Sequence, residues 1–141
     1  MLFRSLFFNP PITADLPEPV RLSLLSSAAL PGLLRAAGSG FDPTLGNLLV
    51  SGNDCAGSPA AGIRYELSDS QSAITQLYMD NGVLSDATDA TDATGIGAFA
   101  GVPVGFLSVA AYNRAGARVG GIGVQVAPGA ISYVTLGPPP N

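Results

Sequence analysis

The sequence contains no histidine, no lysine and no tryptophan, and it has a single cysteine, Cys55. Each absence removes a class of chemistry. Without histidine there is no imidazole to act as a general base near neutral pH, no Ser–His or Cys–His nucleophile and no histidine-ligated zinc. Without lysine there is no Schiff base. A single cysteine excludes an intrachain disulfide. Its expected state is a buried, inert thiol, with a bridge to a second chain as the alternative.

Charge is scarce as well. Charged residues make up 11% of the chain, the six basic residues are all arginine, and the net charge is −4. The arginines are scattered from Arg4 to Arg118. A nucleic-acid partner requires clustered cations that release counterions, so that class is excluded, and the same lack of basic clusters argues against an anionic membrane surface. No run reaches the ~18 apolar residues of a membrane span. The stretch from Met1 to Phe8 is stopped by Asn9-Pro10-Pro11 with no small-residue cleavage site after it, so no signal peptide is readable.

What the chain does have is apolar residues, at 47%, in 141 residues, enough for the core of one domain. Mean hydropathy is +0.37. Two explanations stand side by side. Other chains cover an apolar exterior, or abundant alanine and glycine raise the average without making adhesive patches.

Residues 1–21 read as an extended segment, because Pro10, Pro11, Pro17 and Pro19 forbid a continuous helix. Its apolar members Leu2, Phe3, Leu6, Phe7 and Phe8 must pack on their own domain or on a neighbour. Residues 22–45 read as a short helix and turn. Ser26 and Ser27 suit a cap, Pro31 a first helical turn and Gly38 a stop.

From Gly46 the period becomes two. Strands are expected at 48–50, 63–67, 74–79, 83–91, 97–100, 106–112, 118–126 and 131–136. Asn81-Gly82 is a strong hairpin signal. About seven or eight short strands with frequent turns predict a mainly β, antiparallel sandwich over 46–137, followed by a Pro-rich tail at 138–141. The turn residues singled out are Asp54, Gly57, Pro59, Gly62, Asp92, Gly95, Pro103 and Gly105.

Several segments carry a resemblance. Gly46-Asn47-Leu48-Leu49-Val50 is followed by Asp54-Cys55-Ala56-Gly57-Ser58-Pro59 and by Gly62-Ile63. Then come Thr91-Asp92-Ala93-Thr94-Gly95-Ile96-Gly97-Ala98-Phe99, Val102-Pro103-Val104-Gly105 and Phe106-Leu107-Ser108-Val109-Ala110-Ala111. In this order they resemble the carboxypeptidase-regulatory-like, or transthyretin-like (prealbumin-like), β-sandwich found in bacterial secreted or surface proteins. The stretch from Val124 to Leu136 is similar to that family's closing hairpin. The region between Leu67 and Thr91 is longer than in the family, and the first 45 residues lie outside it. The resemblance implies an Ig-like fold without catalytic residues, used as a spacer, adhesive or stabilising module on exported proteins.

Candidate chemistry is thin. Asp86, Asp89 and Asp92 lie in a threefold Asp-Ala-Thr repeat and are the weak candidates for a metal such as Ca²⁺. On a strand they alternate faces, so an exposed, charged edge strand is the favoured reading. Tyr65, Tyr78, Tyr112 and Tyr133 suit core or rim positions better than a sugar-stacking platform. No catalytic residue, cofactor or metal is expected. The expected function is a non-catalytic structural subunit of an extracellular or cell-surface assembly, its partners being copies of itself. A monomeric module for a glycan or protein is the alternative.

Overall fold

A computed structural model describes residues 6–9, 29–69 and 73–137; the expected helix start at 22–28 and the tail 138–141 lie outside them. The fold is a two-sheet sandwich of eight strands, with a short ninth strand laid along one edge.

Leu6–Asn9 forms β1, Ala29–Ala36 forms α1 and Gly46–Gly52 forms β2. Arg64–Leu67 is β3, Thr75–Asp80 is β4 and Val83–Ser85 is β5. Ile96–Val102 is β6, Gly105–Tyr112 is β7, Arg118–Val126 is β8 and Ile131–Leu136 is β9. The larger sheet has the order β1-β9-β2-β6-β4-β5, and the smaller has the order β3-β7-β8.

Alternation decides which side chains enter the core. Leu48 and Val50 of β2, Phe99 of β6, Val109 and Ala111 of β7, Val124 and Val126 of β8, and Val134 and Leu136 of β9 are buried together. The residues between them, Leu49, Ala110, Gln125 and Thr135, are less buried and point to the opposite face, as alternation requires. Full burial of each large side chain is worth about 1.5–3 kcal/mol, and this term holds the two sheets together.

The helix ends on a Schellman motif. The Ser39 N–H donates to the Leu34 carbonyl at 2.8 Å and the Gly38 N–H to the Arg35 carbonyl at 3.1 Å. Leu34 packs with Ala100, Phe41 and Ile131, so α1 sits on the outer face of the larger sheet.

Two expectations are corrected. The sandwich is not wholly antiparallel, because β9 runs parallel to β2, with Asn47 opposite Ile131 and Gly52 opposite Leu136. The stretch from Val124 to Leu136 is therefore not a hairpin. After β8 the chain crosses from the smaller sheet to the larger, turning at Ala127–Ala130, and β9 inserts between β1 and β2.

The second correction concerns 83–91, where only Val83–Ser85 is strand. Beyond it, side chains take up main-chain groups that a ladder would need. Ser85 Oγ accepts the Ala87 N–H at 3.1 Å, and Thr88 Oγ1 donates to the Ala90 carbonyl at 3.1 Å. The Asp-Ala-Thr repeat is thus a run of turns, not an edge strand.

Candidate functional site

The N-terminal strand is the first place to look for an interaction site. In the same chain, β1 pairs parallel with β9, placing Leu6 opposite Ile131, Phe7 opposite Ser132, Phe8 opposite Tyr133 and Asn9 opposite Val134. Leu6, Phe7 and Phe8 of the expected self-association set thus occupy a sheet edge, while Leu2 and Phe3 lie outside the described residues. The pairing is a main-chain ladder along an edge that β9 would otherwise leave open.

Beside it, β9 is tied to the smaller sheet. Ser132, 1% exposed, donates from Oγ to the Gln125 carbonyl of β8 at 2.8 Å. A buried hydroxyl thus satisfies an edge carbonyl across the sandwich.

At the far end of the sheets lies a buried polar network. Tyr65 and Tyr78 are 1% and 2% exposed, and their rings stack with centroids 6.1 Å apart. Tyr65 donates its hydroxyl to the Gly95 carbonyl at 2.8 Å. The Tyr78 hydroxyl oxygen accepts the Tyr65 N–H at 2.8 Å and the Gln76 Nε2–H at 2.6 Å. Gln76 also donates to the Tyr65 carbonyl at 2.6 Å.

Burial, reinforced by the neighbouring Tyr78 and Tyr133, pushes the Tyr65 phenol well above its ordinary range. Burial also raises that of Tyr78. Neither is poised to exchange a proton near neutral pH. Tyr112 is half-buried, with the Arg64 guanidinium 5.8 Å from its ring centroid, and Tyr133 is half-buried in β9. The four tyrosines therefore do not share one face.

The turns at this end share one design. Asp54 Oδ1 accepts the N–H groups of Ala56 and Ser58, both at 2.9 Å, and the Gly57 N–H returns to the Asp54 carbonyl at 3.0 Å. Asn113 repeats this with Ala115, Ala117 and Gly116. Gly57 and Gly116 close the two turns at φ of 80° and 77°, a left-handed conformation that side chains resist. Pro59 forms an isolated bridge with Asn53.

Asp92 accepts from the Thr94 hydroxyl and from its N–H at 2.9 Å. These bonds hold the Asp92 carboxyl below the usual carboxylate range, the hydroxyl contributing most. Gly62, Gly95 and Gly105 all take positive φ, and Pro103 lies in the link from β6 to β7.

Sequence reasoning missed Thr91 as a pin. It is 3% exposed; its hydroxyl accepts the Ile63 N–H at 3.0 Å and donates to the Ala60 carbonyl at 2.7 Å. Its own N–H and carbonyl bond to Ile63 and Gly62. The only available signal was its place at the head of the Thr91–Gly95 motif.

Cys55 is exposed, which corrects the expected buried thiol. It is the second residue of the Asp54 turn, whose backbone folds inward on the carboxylate and leaves the thiol outside. Cys55, Pro59, Ile63, Val119 and Leu136 are among the residues lining a cavity of about 410 Å³ there. Among the described residues no three His, Cys, Asp or Glu side chains come together as a metal would require, so Asp86, Asp89 and Asp92 are not gathered.

Compared with known proteins, the chain matches no family model and no curated protein.

Proposed function

We propose that this chain is a non-catalytic structural subunit of an extracellular or cell-surface assembly, associating with copies of itself through its N-terminal segment. The observation that carries the reading is the seat of Leu6–Asn9 on the open edge of β9. A segment held by main-chain pairing at a sheet edge has the chemistry of strand addition.

The sparse charge supports the reading, since little self-repulsion opposes close association. The lack of histidine and lysine supports a role without catalysis. The likeness to carboxypeptidase-regulatory-like sandwiches belongs to the same proposal and supports export to the surface. Its turn segments, Asp54–Pro59 and Asp92–Gly95, lie at one end of a two-sheet sandwich.

Removing residues 1–11 tests the reading. The expected result is a shortened chain with an unchanged far-ultraviolet spectrum that sediments as single molecules while the full chain assembles. Equal assembly by both would overturn it.

A second reading is a monomeric module for a glycan or protein. It is favoured by Phe106, which is 72% exposed on the smaller sheet. A saturable ligand on a glycan array, with a full chain that stays single at high concentration, would establish it instead.

A further inference from the structure

We infer that β1 is exchanged between copies, so that Leu6–Asn9 of one chain occupies the β9 edge of another in the same parallel register. The inference rests on the self-association proposed above and names its partner, its acceptor edge and its alignment.

The argument begins with how β1 is attached. A strand joined to its neighbour by a tight hairpin is bound to pair within its own chain. Here β1 ends at Asn9 and the next described element begins at Ala29, so residues 10–28 separate them. Extended at roughly 3.3 Å per residue, that length reaches about 60 Å. A domain of this size has a radius of gyration of ~14 Å, so β1 can reach the equivalent edge of a neighbour while α1 stays on its own sheet.

Energetics point the same way. The bonds that β1 makes to β9 are main-chain bonds in a fixed register, and an identical chain offers the same bonds. Pairing within the chain is then favoured by the effective concentration that a covalent connection provides. Packed subunits at a surface reach comparable concentrations. Exchange of an identical element is a low-cost route to association, because it needs no new interface. Reciprocal exchange closes a pair, and sequential exchange gives an open chain.

The register supplies the test. Phe8 and Tyr133 are directly opposite across the pairing. Adjacent strands lie about 4.8 Å apart, within the span of a disulfide. In a Cys55→Ser background, one chain carries Phe8→Cys and a second carries Tyr133→Cys. The two are mixed at high concentration, oxidised and run without reductant. Neither chain can close the bridge alone, and chance collision of two thiols gives like and unlike pairs in statistical proportion, so an excess of the species joining one of each reports exchange.

That excess is the expected result, falling on dilution before oxidation. The doubly substituted chain is the companion measurement. Bands of two or more chains support exchange. A bridge confined to single chains, or thiols that stay free, overturns it. Sedimentation of the same samples separates the two claims. Assembled particles whose bridges are all within chains sink the exchange and leave the structural-subunit reading standing. Single molecules at every concentration sink that reading as well.

Discussion

Aromatic rings lie on glycines in two parts of this molecule, and the two contacts differ in almost everything else. Inside the sandwich, Tyr65 and Tyr78 cross the larger sheet where Gly52 and Gly97 leave room. A Cβ on Gly97 would stand 2.7 Å from the Tyr65 ring and 3.1 Å from that of Tyr78, and one on Gly52 would collide with the Tyr65 hydroxyl. Outside, Phe106 lies over Gly123 on the smaller sheet, and a Cβ there would meet the ring's tip. The inner rings are stacked, bonded and enclosed; the outer ring is 72% exposed. The same pairing of residue types is a rigid joint in one place and a loose cover in the other.

The largest difference between the two should appear on truncation. Tyr65→Ala removes a fully buried ring and its bond to Gly95, an expected loss of about 3–5 kcal/mol. Phe106→Ala should cost less than ~1 kcal/mol, in the range of surface changes. Urea unfolding midpoints measure both, and similar losses at the two sites would erase the distinction.

Filling the glycines sharpens it at smaller scale. Gly97→Ala presses a methyl group into two rings that cannot move, for an expected loss of about 1–3 kcal/mol. Gly123→Ala meets only the end of an exposed side chain that can swing aside. Its effect should lie within ~0.5 kcal/mol of zero, as for other surface substitutions. Thermal unfolding of the two variants checks the contrast.

A last contrast concerns pH. Burial raises the Tyr65 and Tyr78 phenols above the ordinary value of 10.0. Above that pH the unfolded chain sheds protons that the folded chain keeps, so stability is full below about 10 and falls as pH rises. The Tyr65→Phe, Tyr78→Phe double variant should lose less stability between pH 9 and 11 than the parent, though it starts lower. An equal slope in both would show that these phenols are not the cause.

Local chemistry was readable in advance, and partnership was not. Asn81-Gly82 announced a hairpin, and the chain turns there with φ of 50° and 84°, joining β4 to β5. The alternation from Ile63 to Leu67 marked β3, and Leu48 and Val50 marked a core strand. Alternation reports which face of a strand is buried, not which sheet the strand joins. The separation of β8 from β9, and the parallel run of β9 beside β2, therefore left no trace in the pattern. Ala, Thr and Asp in alternation imitated an edge strand at 86–91, because period alone does not reveal hydroxyls binding nearby main chain. The tyrosine network was equally hidden, since it joins β3, β4 and the Gly95 turn across the fold.

The parallel run of β2 and β9 also bears on mechanics. Tension on the chain ahead of Gly46 and beyond Leu136 pulls these neighbouring strands in opposite directions along their length. The rungs from Asn47–Ile131 to Gly52–Leu136 are then loaded together in shear, and none can be unzipped from one end. A pull along the strands meets the ladder at its stiffest.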